Sequence, residues 1–200
     1  MPTYTTMLIG KHHSYGSMQE KHGDLLKAEK LYFMELVHSR MGHASAKRIP
    51  TALYNLGRVK GYLCKNEEAE RYLVTAYDLV NNGPGHSENE KIKYNLELAK
   101  FYFENNLFED AEPYYASLFN RLSTTPNSQD IKALLRQITE QYTTILGEMG
   151  KFKQAKSLTD NFYSIGYSDL TELPVNESEL RYGSHCNTAG KAANTIAVIH

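Results

Sequence analysis

Apolar residues recur along most of this chain in steps of three and four, the spacing that lines one face of a helix. Leu53, Leu56, Val59 and Leu63 form one stripe. Tyr94, Leu98, Phe101 and Tyr102 form the next, and Leu134, Leu135, Ile138, Tyr142, Ile145 and Leu146 a third. Each stripe is followed by a second helical segment that opens around an alanine. Ala28 stands in LLKAEKLY, Ala69 in NEEAERYL, Ala111 in FEDAEPYY and Ala155 in FKQAKSLT. These alanines are spaced 41, 42 and 44 residues apart, and the first three are each followed by Glu. An earlier stripe, Met7, Leu8, Tyr15 and Met18, is interrupted by Gly10 and Gly16. Glycine costs about 1 kcal/mol relative to alanine inside a helix, so a ragged first helix is expected.

Polar breaks separate the paired segments: His22-Gly23-Asp24, Lys65-Asn66, Asn105-Asn106 and Gly150-Lys151. Longer connections carry stronger breakers, at Met41 to Pro50, Asn81 to Gly85 and Ser123 to Ser128. Strand signals are almost absent before residue 165. The pattern predicts an all-α fold of four antiparallel helix hairpins, over about 5–38, 47–81, 89–122 and 130–165. Together they would make one domain over 1–166, with an irregular or partly disordered tail over 167–200. Helices of about fifteen residues are marginal alone in water, and stacking hairpins buries the remaining apolar face. The small alanine suits a close helix crossing, which a larger side chain would force apart.

LAKFYFENNLFEDAEPYY, from Leu98 to Tyr115, resembles the tetratricopeptide repeat. The second unit matches that pattern at Leu53, Leu56, Gly57, Ala69, Leu73 and Ala76, but places Lys60 where the family favours a tyrosine. The fourth matches at Leu146, Gly150, Phe152, Ala155 and Phe162, with Thr159 out of pattern; the first keeps Tyr15, Gly16, Gly23, Ala28 and Tyr32. The long period, and the Gly-His pairs at Gly42-His43 and Gly85-His86, resemble the roughly 42-residue subtype of kinesin light chains. No heptad coiled coil accompanies them.

The resemblance implies a right-handed superhelical array, an α-solenoid, whose first helices line a concave wall that binds peptides or helical segments of partner proteins. Carried over, the wall takes His13 and Ser17 from the first unit and Tyr54, Asn55, Arg58 and Tyr62 from the second. Lys93, Glu97, Lys100 and Glu104 follow from the third, and Glu140, Thr144 and Glu148 from the fourth. Asn55 is implied to hold a ligand's backbone amide, since its side chain carries both a donor and an acceptor. Arg58, Lys93 and Lys100 would make the middle basic and favour acidic or phosphorylated segments. The plain alternative for each is a solvated face of an amphipathic helix.

Composition narrows the rest. The sequence carries 22 basic and 23 acidic residues, so nothing points to nucleic acid or a membrane surface. No long apolar run is present, and MPTYTTMLIG lacks the basic start and apolar core of a secretory signal. Cys64 and Cys186 lie far apart with no paired spacing, which suits a reducing, cytoplasmic setting. Eight histidines prompt a metal search. Adjacent His12 and His13 diverge on a helix, and neither H-E-x-x-H nor a cysteine pair is present, so no metal or cofactor is expected. His185-Cys186 and Gly147 to Lys151 match no catalytic or phosphate-binding pattern. Asn176-Glu177-Ser178 is an incidental sequon.

The tail offers no clear amphipathic capping helix. It either folds back over the last hairpin, is disordered, or leaves that end for another subunit, which would allow a homo-oligomer. The expected function is a non-enzymatic scaffold, adaptor or chaperone-like module for a protein or peptide partner. The alternative is a regulatory peptide sensor that docks on an enzyme or transcription factor and modulates it.

Overall fold

The computed structural model describes residues 4–41, 48–124, 129–165 and 182. Among the described residues there are eight α-helices and no strand. They are α1 (Tyr4–Lys21), α2 (Leu25–Met41), α3 (Arg48–Tyr62), α4 (Asn66–Asn82), α5 (Glu88–Glu104), α6 (Phe108–Ser123), α7 (Gln129–Glu148) and α8 (Phe152–Ser164). The Gly42–Ser45 linker, the breaker at 125–128, the sequon, the His185-Cys186 pair and the rest of the tail apart from Tyr182 lie outside the described residues.

The pairing of helices into hairpins follows from one turn geometry used four times. Gly23, Cys64, Asn106 and Gly150 adopt left-handed φ values of 77°, 61°, 60° and 71°. In each case that residue's N–H donates to the carbonyl three residues back: Glu20, Gly61, Phe103 and Gly147. The next N–H donates to the carbonyl five residues back: Gln19, Lys60, Tyr102 and Leu146. This pair of hydrogen bonds closes the helix end and reverses the chain. Five residues after each left-handed residue stands a repeat alanine, so turn and helix crossing share one register. Ala28, Ala69 and Ala111 are fully buried, as close crossings require.

The chain divides into two compact units, residues 1–98 with 181–200, and residues 99–180. In the first, α2 packs on both α1 and α3, and α3 packs on α4. Its core gathers Tyr32, Leu36, Leu53, Leu56, Val59 and Val80. Helix α1 is continuous, against the expectation of a ragged one. The reason is packing: a Cβ on Gly16 would lie 2.7 Å from Cε1 of Tyr32. Gly57 serves likewise in the next repeat, where a Cβ would lie 2.8 Å from Cγ of Leu73. Absence of a side chain lets the ring and the leucine seat, which offsets the helix propensity lost. Helix α5 starts in a capping box, with the Ser87 backbone N–H donating to Glu90 at 2.8 Å and the Glu90 N–H donating to the Ser87 hydroxyl at 3.3 Å.

In the second unit, Tyr102 stacks on Tyr114 with ring centres 5.6 Å apart. Phe103 meets Tyr115 edge-on at 5.9 Å. Leu118, Leu122, Leu135, Ile138 and Ile145 complete the interior between α6 and α7. The Tyr115 hydroxyl donates to Gln141 at 3.0 Å, giving a buried phenol its partner.

The glutamates after the repeat alanines also have a task. Lys65 Nζ donates to Glu29 at 2.7 Å, and Lys151 Nζ donates to Glu112 at 2.6 Å. In both cases a lysine from a hairpin turn reaches the second helix of the preceding repeat. Lys60, out of pattern for the repeat, is buried and donates to Glu29 and Glu68 at 2.8 and 2.7 Å. Among the described residues no helix is long and apolar enough to cross a membrane.

Candidate binding face on α3 and α5

Hydrogen bonds on this face run between residues about one repeat apart. The Tyr54 hydroxyl on α3 donates to Oε2 of Glu97 on α5 at 2.8 Å, across 43 residues of sequence. The Tyr94 hydroxyl on α5 returns to Thr51 on α3 at 3.3 Å, also across 43 residues. The Tyr54 and Tyr94 rings lie 4.9 Å apart. Helical periodicity places 51, 54, 58 and 62 along one side of α3, and the repeat then brings the equivalent side of α5 against it.

Arg58 is the charge centre of this face. Its Nη2 pairs with Oε1 of Glu20 on α1, and its Nε lies 3.8 Å from Oε1 of Glu97. Its guanidinium stands 5.4 Å from the centre of the Tyr54 ring and 5.9 Å from that of Tyr62, within cation–π range. Burial works against the guanidinium's charge, but the carboxylates of Glu97 and Glu20 outweigh it and hold Arg58 charged. Glu20 in turn accepts from the Tyr32 hydroxyl at 2.9 Å. Burial, and then the nearby Glu97 charge, push the Tyr62 phenol up to about 12. Lys93 is exposed and caps the other side of Tyr54, with Nζ 4.6 Å from the ring centre.

Six of the residues carried over from the repeat pattern therefore meet on one face: Tyr54, Asn55, Arg58, Tyr62, Lys93 and Glu97. All but Asn55 meet as a mutually bonded cluster, not as a row of free side chains. The cation of Arg58 already faces two carboxylates, so the basic middle section expected from sequence is compensated there. Asn55 is 6% exposed and is turned onto His13, with Nδ2 3.4 Å from Nδ1 of that ring. The same Nδ1 lies 3.2 and 3.3 Å from the two Glu35 oxygens. A protonated Nδ1 donates to Glu35, and an unprotonated one accepts from Asn55; it cannot do both at once. Lys100 is half-buried in the second unit, and Glu140 is held on its own helix by Arg136 at 2.8 Å.

Two features of this face were not legible beforehand. Tyr182, from the tail, is 3% exposed. Its ring stacks on Tyr62 with centres 4.7 Å apart, and its hydroxyl donates to Oε1 of Glu97. Cys64, two residues past Tyr62, is disulfide-bonded. Cysteine usage therefore no longer argues for the reducing setting expected from the spacing of Cys64 and Cys186. Elsewhere, His12 stacks on His38 at 5.1 Å, and burial and then His38 lower its pKa. Among the described residues no group of three or more His, Cys, Asp or Glu side chains is placed to hold a metal ion.

No protein-family model and no curated protein sequence matches the chain. Solved structures do. BtubC (BKLC) from P. vanneervenii superposes with a TM-score of 0.73 at 18% identity, over 89% of this chain and 70% of that one. A protein of nearly identical TPR-like repeats from Podosopora anserina, described as a kinesin light chain, gives 0.64 at 13% identity, over 82% and 77%. A single-residue variant of that protein gives 0.62 at 13%, over 78% and 74%. At such identities the likeness is one of fold. Joined to four turns in one register, it shows that this chain has an all-α fold of tetratricopeptide-like helix hairpins.

Proposed function

We propose that the protein is an interaction module whose face on α3 and α5 takes an extended or helical segment of a partner protein. The observation that supports this most is the convergence of Tyr54, Arg58, Tyr62, Lys93 and Glu97 from two first-of-pair helices. Rings and charges gathered on a rigid helical face offer stacking, cation–π contact and hydrogen bonding together. They sit on the side that the repeat pattern assigns to ligands. An interaction scaffold also fits the fold that the structural neighbours share.

The face is charge-balanced rather than basic at its centre, because Arg58 is set between Glu20 and Glu97. A segment bringing hydroxyl or amide donors to the carboxylates suits it better than an acidic one. Peptide display against the folded full chain tests the reading. Enriched peptides are expected to bind in solution and to lose about tenfold in affinity on Lys93→Glu, roughly 1.4 kcal/mol. Lys93 is exposed, so the melting temperature should hold. Peptides indifferent to Lys93→Glu, or none enriched, would remove α3 and α5 as the binding face.

A further inference from the structure

The residue that fills this face comes from the chain's own tail. Tyr182 enters 85 residues after Glu97 and makes contacts of two kinds. Its ring lies flat on Tyr62, at an interplanar angle of 20°. Its hydroxyl reaches the Glu97 oxygen that Tyr54 does not use: Tyr54 takes Oε2 and Tyr182 takes Oε1. The slot that admits the ring is cut by Gly61, in the last turn of α3. A Cβ there would stand 2.6 Å from both Cδ1 and Cε1 of Tyr182. Gly61 differs from Gly16 and Gly57, whose missing side chains make room for residues of the partner helix in the same hairpin.

We propose that this slot is a docking pocket for an unphosphorylated tyrosine, that Tyr182 is its resident occupant, and that a tyrosine-bearing segment of a partner protein enters by displacing Tyr182. The proposal rests on the binding-face reading above and names the ligand chemistry. Each wall sets one requirement. Tyr62 and Gly61 ask for a flat ring. Oε1 of Glu97 asks for a donor at the para position, which tyrosine has and phenylalanine lacks. A phosphotyrosine would bring about two negative charges against Glu97 and Glu20, where Arg58 is already matched.

The test uses the oxidised full chain and a fluorescein-labelled peptide of residues 177–187 carrying Cys186→Ser. Fluorescence anisotropy should show the Tyr182→Ala chain binding this peptide at least about tenfold more tightly than the native chain. The peptide's Tyr182→Phe form should bind more weakly, and its phosphotyrosine form should not bind. Adding Gly61→Ala to the Tyr182→Ala chain should abolish binding, and alanine is a good helix former at that site. Should Tyr182→Ala fail to fold, Tyr182→Phe in the full chain keeps the ring, drops the Glu97 bond and should raise peptide affinity to a smaller degree. Equal binding by native and vacated chains, or indifference to the phenol, overturns the proposal. Display-selected peptides that respond to Lys93→Glu yet carry no tyrosine would sink the pocket and leave the binding face standing.

Discussion

Tyr54 and Glu97 are 43 residues apart in sequence, and the phenol of one donates to the carboxylate of the other at 2.8 Å. Burial first, and then the Glu97 charge, raise the Tyr54 pKa, so the phenol stays a donor across any physiological pH. The bond ties α3 to α5 in a nearly dry setting, where a hydrogen bond to a charged group is worth about 1.5–3 kcal/mol. Urea unfolding of Tyr54→Phe, Glu97→Ala and the double variant should give a coupling energy in that range. A coupling under about 0.5 kcal/mol would mean the bond adds nothing beyond packing.

The repeat turns were legible as breaks, but not the residue that makes each one. Gly23 and Gly150 announce a left-handed stop, because glycine takes positive φ without steric cost. Cys64 and Asn106 occupy the same position under side chains that carry a weaker signal or none. Register told the rest: each stands five residues ahead of a repeat alanine. The alanines and first-helix stripes were readable because burial and crossing distance restrict them to small or apolar types. Gly16 misled, since composition cannot separate a helix breaker from a glycine that seats Tyr32. Tyr182 and the Cys64 disulfide left no periodic trace, because neither the tail tyrosine nor the cysteine recurs from repeat to repeat.

Asn106 and Gly150 offer a clean measure of the turn. No atom lies within 4 Å of a Cβ built on Gly150, so Gly150→Ala would meet only the backbone penalty of its φ of 71°. That penalty is about 1–2 kcal/mol for a residue other than glycine. Thermal unfolding should report a loss of that size. Asn106→Ala should also destabilise, by about 1 kcal/mol, while Asn106→Gly should be neutral or better. If Asn106→Ala and Asn106→Gly behave alike, the left-handed conformation is not what selects the residue.

Ala111 tests the crossing. It is 0% exposed and stands five residues after Asn106, at the start of α6. The added carbons of Ala111→Leu have nowhere to go without moving a helix, at a cost of about 1–3 kcal/mol. Denaturant titration should show a lower midpoint with an unchanged slope, since the surface exposed on unfolding stays the same. Unaltered stability would place Ala111 away from a tight crossing and weaken the register shared by the four hairpins.

His13 should make stability depend on pH with a definite sign. Its pKa is raised, first by the hydrogen bond to Glu35, against the opposing effect of burial. A histidine with a higher pKa folded than unfolded adds stability that is complete below the unfolded value, near 6.5. That contribution fades as pH rises through the folded value. His12 carries the opposite sign, because burial and His38 lower its pKa. The difference between the native chain and His13→Gln isolates His13 from His12. Subtracting urea midpoints measured at intervals from about pH 5 to 8.5 should give an advantage for the native chain that shrinks as pH rises. When the neutral ring keeps its remaining proton on Nε2, Nδ1 ceases to donate to Glu35 and becomes free to accept from Asn55, so in that tautomer the lost charge interaction is partly replaced by a neutral bond. An Asn55→Ala background removes that replacement. The advantage of Asn55→Ala over Asn55→Ala with His13→Gln should therefore decline more steeply with pH than the advantage of the native chain over His13→Gln. A difference that is flat, or that grows with pH, would place the Glu35 bond outside the balance that holds α1 to α2.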